Sequence, residues 1–180
     1  MIKNKELRKY VEGLNLCPVI PVIIFVVMGI AFIALPQVSA ISLDVTHEIS
    51  APADKVWRII ANVDNEPYYW STFKEINNIK KTNNITEREV TISAGPQNNT
   101  SHQIVTLYPD EMKIQTNLTQ GLVTGSRILE LEPLSSNKSR LDVIWDIDLS
   151  SIPIIGRGFA ENGIKQTTEE ALNRIAQAAE

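Results

Sequence analysis

The sequence predicts an α+β fold in which a curved, seven-stranded antiparallel sheet closes around one long C-terminal helix, with two short helices after the first strand. Runs of alternating apolar and polar residues recur through the middle of the chain, the two-residue period of half-buried strands. The segments between those runs are too short for crossover helices, so neighbouring strands must run antiparallel. The C-terminal segment carries instead the 3.6-residue stripe of an amphipathic helix.

Ile41 to Ile49 alternates throughout and reads as the first strand. Ser50-Ala51-Pro52-Ala53-Asp54 follows as a helix start, with proline near the first position. Val56, Trp57, Ile59, Ile60 and Val63 then recur with helical spacing. That helix ends near Asn62 to Asn65, and Pro67 opens a short second one carrying Tyr68, Tyr69 and Trp70. Six strand-like runs come next: Ile76 to Lys80, Arg88 to Ala94, His102 to Tyr108, Met112 to Leu118, Arg127 to Glu132 and Arg140 to Leu149. Thr82-Asn83-Asn84, Gly95 to Asn99, Tyr108-Pro109-Asp110, Gln120 to Gly125 and Pro133 to Lys138 separate them with residues that turns favour.

On the last strand Leu141, Val143, Trp145, Ile147 and Leu149 share one face, and Asp142, Asp146 and Asp148 share the other with Ile144. One face of the sheet is therefore buried and one is wet. After Ile152 to Gly156 a final helix is predicted over Phe159 to Ala179, with Ile164, Thr168, Ala171, Leu172 and Ile175 as its apolar stripe. One helix covers a seven-stranded face only if the sheet bends around it. Such a bend leaves a space of the kind small ligands occupy.

The first forty residues differ from the rest. Residues 1–15 read as a basic cytoplasmic N-terminus, 16–35 as a transmembrane anchor or the apolar core of a signal peptide, 36–40 as a linker, and 41–180 as the ligand-binding domain. Leu16 to Leu35 contains no charge, and about 20 such residues cross a bilayer as a helix. Lys3, Lys5, Arg8 and Lys9 precede it against Glu6 and Glu12, and no charge follows until Asp44. Positive charge stays inside, which puts the C-terminal domain outside the cytoplasmic membrane. Two versions stay open. The apolar run exceeds the usual signal core of roughly 7–15 residues, which favours a retained single-pass anchor. The small residues of Pro36-Gln37-Val38-Ser39-Ala40 favour cleavage after Ala40, which yields a secreted domain.

Five Asn-x-Ser/Thr triplets, beginning at Asn84, Asn98, Asn99, Asn117 and Asn137, agree with export as glycosylation acceptors. All but Asn117 fall in expected turns. A chain rich in Asn, Ser and Thr also produces such triplets by composition alone.

Composition excludes several function classes. The net charge is −4 with both signs interspersed, so no basic footprint for nucleic acid exists. The single cysteine, Cys17, rules out an internal disulfide, and with only His47 and His102 no thiolate cage or Cys-His metal site assembles in the globular part. No metal and no cofactor are expected.

Several segments together resemble a known superfamily. Ile49-Ser50-Ala51-Pro52-Ala53-Asp54-Lys55-Val56-Trp57 is similar to the strand-to-helix entry of START-like proteins, also called SRPBCC. Asn62-Val63-Asp64 followed by Tyr69-Trp70, Leu129 to Pro133 with Ser139-Arg140-Leu141, and Gly156 to Ala176 resemble its later segments, within it the polyketide cyclase/dehydrase type. The resemblance covers Ile41 to Ala179 and implies a helix-grip fold. It includes lipid and hormone carriers, ring cyclases and assembly factors, so it implies fold more than activity.

Trp70 and Trp145 lead the candidates for a cavity wall, since an indole pairs a large apolar surface with one donor. Tyr69, Ile114, Leu129, Val143, Ile147, Ile164 and Thr168 complete the candidate set. Both indoles also serve as plain core, as aromatics commonly do. His102 and Tyr108 share one face of a strand and would make a cavity acid and base only if that face is the inner one. Six residues of strand separate them by about 20 Å, too far for direct cooperation. Asp142, Asp146 and Asp148 stand about 6.6 Å apart along a straight strand and point in parallel, which suits a solvated face with Arg127 and Arg140 as cross-strand partners better than calcium. No residue is assigned a catalytic role. The leading expectation is an extracytoplasmic binding protein for a hydrophobic small molecule or lipid. A cyclase/dehydrase-type enzyme using a cavity acid or base, and a non-catalytic assembly domain, are the alternatives.

Overall fold

The computed structural model describes residues 40–180 apart from 95 and 96. The expectations for residues 1–15 and 16–35, and for all but the end of the linker 36–40, lie outside the described residues. Among those described, no helix is long and apolar enough to cross a membrane.

Strand β1 (Ala40–Ile49) leads into helix α1 (Ala53–Ile60), a 3-10 turn (Val63–Asn65) and the short helix α2 (Glu66–Tyr69). Strands β2 (Phe73–Lys81), β3 (Ile85–Ala94), β4 (Gln97–Tyr108), β5 (Lys113–Gln120), β6 (Thr124–Ser135) and β7 (Lys138–Asp148) follow, and helix α3 (Ile154–Ala179) ends the chain. The sheet order is β1-β7-β6-β5-β4-β3-β2, antiparallel at every step. Six strands therefore form a meander, and β1 returns to pair with β7 from Ala40↔Asp148 to Ile49↔Ser139. Register shifts in β2, at His102/Gln103 and at Pro133/Ser135 bend the strands where they occur.

Alternation decides the two faces. Val105, Ile114, Leu118, Leu129, Leu131, Leu141, Val143, Trp145 and Ile147 are buried on the inner face. Helix α3 packs on β1, α1 and α2. Only its second half is buried, through Thr168, Ala171, Leu172, Ile175, Ala176 and Ala179. Its first half leaves Ile154, Ile155 and Phe159 exposed. The core is thus packed at one end of the helix and open at the other.

Three local differences from the sequence expectation have physical causes. Helix α3 begins at Ile154 rather than Phe159, because Pro153 (φ −52°) sets up the first turn and the exposed Ile154 and Ile155 carry no stripe. Asn98 and Asn99 belong to β4, opposite Ser93 and Ile92, rather than to a turn. Gly125 opens β6 with φ +124°, and a Cβ there would run into the Asp146 carbonyl oxygen. Only glycine fits that approach.

Candidate ligand cavity

A cavity of about 420 Å³ lies between the inner sheet face and the first half of α3. Its volume falls in the range of small-molecule sites. Trp70, Phe73, Ile92, Leu118, Trp145 and Ile164 give most of the wall its apolar character. Leu122 and Phe159 line it from the rim, and Phe159 is 80% exposed. Trp70 sits just past α2 and meets Trp145 edge-on at 5.9 Å and Phe73 in a stack at 6.0 Å. These edge and offset geometries suit the ring quadrupoles.

Small polar side chains such as Asn99, Ser101 and Thr116 also line the wall, and its one charged lining residue among those described is Arg127. Arg127 on β6 is in phase with Leu129 and Leu131, so alternation turns its guanidinium inward, where only 1% of the residue is exposed. Arg88 on β3 is in phase with Val90 and is likewise buried. Glu66, the first residue of α2, is buried between them. One carboxylate oxygen accepts from Arg88 Nη2 and the other from Arg127 Nη2. Every nitrogen of Arg88 has a partner: Nη1 donates to the Val63 carbonyl at 3.0 Å, and Nε and Nη2 donate to Gln103 Oε1 at 3.2 and 2.9 Å. Arg127 Nη2 also donates to Thr116 Oγ1 at 3.3 Å.

Arg127 is different, because its Nε and Nη1 have no hydrogen-bond partner among the described residues. Its guanidinium lies 4.6 Å from the Trp70 ring centre, 5.5 Å from Trp145 and 5.9 Å from Phe73. Cation–π attraction thus replaces part of the lost hydration. Burial pushes the Glu66 carboxyl up, but the two guanidiniums outweigh it and hold it below the ordinary range. Burial pulls Arg127 down, against the support of Glu66, and Arg88 adds to the pull. Arginine stays protonated all the same. Two cations therefore share one anion.

Of the residues singled out from sequence, Trp70, Trp145 and Ile164 stand on the cavity wall. Thr168 is buried beside it, accepting from Trp145 Nε1 at 3.1 Å and donating to the Ile164 carbonyl at 2.7 Å. Tyr69 and Leu129 border a second gap of about 10 Å³, too small for a ligand. Ile114, Val143 and Ile147 lie in the packed core rather than on the wall. Asn84 and Asn137 are exposed in turns, Asn98 and Asn117 lie on strands, and Asn99 lines the cavity.

His102 and Tyr108 lie on the outer face. His102 Nδ1 is 2.6 Å from Thr119 Oγ1 and Nε2 is 3.1 Å from Glu87 Oε1, while the Tyr108 ring is exposed beside the Lys113 ammonium. Neither side chain reaches the cavity, so they make no acid/base pair there. On β7, Asp142 accepts from Arg140 Nε at 3.0 Å and Thr46 Oγ1 at 2.6 Å, and Asp148 accepts from Ser150. Among the described residues no cluster is placed to hold a metal ion. Arg140 thus pairs on the outer face, but Arg127 does not: its phase in β6 takes it inside, to Glu66.

The missed residues are Glu66, Arg88 and Arg127. Their signal was present in the phase of the charges: each arginine falls on the apolar register of its own strand.

Several solved structures share the fold. The Zhui aromatase/cyclase from Streptomyces sp. R1128 superposes with a TM-score of 0.70 at 16% identity, over 78% of this chain and 93% of that one. A protein of Thermus thermophilus gives 0.68 at 13% identity, over 77% and 97%. A START superfamily protein from Mycobacterium smegmatis gives 0.58 at 21% identity, over 76% and 92%. At such identities the likeness speaks for the fold alone. No curated protein matches the sequence. The family model described as polyketide cyclase / dehydrase and lipid transport matches residues 40–180, and the chain belongs to that family.

Proposed function

We propose that this protein is an extracytoplasmic binding protein for a hydrophobic small molecule or lipid, held at the cytoplasmic membrane by residues 16–35 or released by cleavage after Ala40. The observation that carries the binding part is the cavity itself: about 420 Å³ behind two tryptophans, left open where α3 stops packing. A wall of this character gains free energy by covering apolar ligand surface.

The topology supports the membrane part. Ala40 pairs with Asp148, and Asp148 also pairs with Thr124, so the start of β1, the β5–β6 loop with Leu122 and the lead into α3 share one end of the sheet. That end carries the exposed Leu122, Ile154, Ile155 and Phe159. A chain tethered through residues 16–35 enters the domain there. An apolar ligand leaving a bilayer would then meet an apolar rim before the cavity.

Trp70 and Trp145 supply the test. Full-length protein in nanodiscs is titrated with 12-bromododecanol, whose bromine quenches indole emission on contact. Saturable quenching that Ala160→Phe weakens, by filling space on the wall, supports the reading; quenching identical in both proteins rejects it. Protease digestion of intact spheroplasts tests orientation: an exported domain is cleaved, and a protected one removes the extracytoplasmic assignment.

A further inference from the structure

We propose that the ligand carries a carboxylate, and that Arg127 binds it inside the cavity. The inference rests on the ligand-binding reading above and specifies its polar end.

Charge count is the first argument. Arg88, Arg127 and Glu66 form one buried cluster, with two positive charges against one negative. A buried guanidinium without a full counter-charge is costly, and natural structures seldom leave one so. Among the described residues, the other buried polar groups of the inner face around the cluster, Thr86, Ser101, Gln103 and Thr116, are neutral. One further negative charge would make it neutral.

Donor count is the second, and it is independent. Arg88 uses Nε, Nη1 and Nη2, whereas Arg127 uses Nη2 alone. The two idle nitrogens belong to the one arginine that lines the cavity. An anionic oxygen is the strongest acceptor such a donor can meet, and in surroundings this dry the bond is worth more than in water.

Shape is the third. Trp70 and Trp145 flank the guanidinium and continue into the apolar wall. A molecule with its acid group at Arg127 therefore places its hydrocarbon along Phe73, Leu118 and Ile164 toward the Phe159 rim. A phosphate monoester would bring a second charge and more oxygens than one half-occupied guanidinium serves; a carboxylate matches it in charge and in its two oxygens. The hydrocarbon can be a flexible acyl chain or a fused aromatic system, and both carry the same head.

The test compares acid with alcohol. Full-length protein in nanodiscs is dialysed against radiolabelled dodecanoate and dodecanol, and against anthracene-2-carboxylate and anthracene-2-methanol, with empty nanodiscs subtracted. For at least one pair the acid should bind about tenfold or more tightly than its alcohol, the range of a charge-assisted bond. Arg127→Met should bring that ratio close to one. Which pair shows the preference tells acyl chain from fused ring. Equal binding of acid and alcohol in the unaltered protein overturns the carboxylate and leaves the apolar cavity standing. Absence of all four probes overturns both. The ratio in the unaltered protein decides the matter even if Arg127→Met fails to fold.

Discussion

Trp145 Nε1 donates a hydrogen bond to Thr168 Oγ1 at 3.1 Å, joining the last strand to the terminal helix at the edge of the cavity. Below this bond α3 is packed against the sheet; above it the helix stands away and the cavity begins. Thr168→Val keeps the shape but strands a buried indole N–H. It should lose about 1–3 kcal/mol of stability. Trp145→Phe removes the donor and keeps an aromatic ring, but it leaves a smaller group on the wall and should lower apolar-probe affinity as well. Urea unfolding of each variant, followed by far-UV circular dichroism, gives the stability changes.

Glu66 and Arg127 should respond unequally to substitution. Glu66→Gln leaves two buried guanidiniums facing a neutral amide, a loss of about 3–5 kcal/mol. Arg127→Met removes the surplus cation and leaves Glu66 with Arg88 as a matched pair. It should cost clearly less than Glu66→Gln. Equilibrium unfolding of the two variants side by side reads the order directly.

Stability should fall in acid through the same carboxylate. The folded-state pKa of Glu66 lies below the ordinary value of 4.5, so its contribution is complete above that value and is lost as pH falls through the folded pKa. Asp64 and Glu48 are also lowered, by Lys81 and Lys138, but both are exposed and add little. Unfolding midpoints should therefore stay level from pH 7 to about pH 4.5 and fall below it in the unaltered protein. Glu66→Gln, less stable at pH 7, should flatten that acid limb.

Gly125→Ala should destabilise the β6 start twice over. Its backbone φ of +124° is unfavourable for any L side chain, and the added methyl would overlap the Asp146 carbonyl oxygen and stand 2.8 Å from Ile147 Cα. The loss should exceed the roughly 1–3 kcal/mol typical of strained backbone. Gly163→Ala, where nothing lies within 4 Å of the new methyl and the backbone is helical, should be neutral or slightly stabilising. Thermal melts of the pair separate strain from a general intolerance of substitution.

Much of this fold was legible in the alternation of single strands. β7 shows it plainly: Leu141, Val143, Trp145 and Ile147 alternate with Asp142, Ile144, Asp146 and Asp148, and all four of the first set are buried. The stripe on α3 from Thr168 to Ile175 was legible for the same reason, since packing there obeys the helical period. The helix start was not, because Ile154, Ile155 and Phe159 are apolar and yet exposed. Burial could not guide the reading where no burial occurs. Strand ends were likewise hidden, because Asn98 and Asn99 carry turn chemistry but pair with β3.

The site was less legible than the fold. Trp70, Trp145 and Ile164 reach the wall, but Ile114, Val143 and Ile147 share their register without lining it, because a sheet face has no one-dimensional mark for where packing ends. Arg127 looked like an outer-face partner for the β7 aspartates, since a charged side chain is ordinarily solvated. Its place two residues before Leu129 and four before Leu131 pointed the other way. What hid the cluster is that Glu66 and Arg127 are 61 residues apart in sequence and meet only after the sheet has closed.

On the proposed function, the space beneath the first half of α3 holds an apolar molecule. Mass spectrometry of organic extracts, comparing equal amounts of purified full-length protein and its Ala160→Phe variant, tests it most directly. A species should be enriched in the unaltered protein and depleted when the cavity is filled. Identical extracts from two equally folded proteins would contradict it.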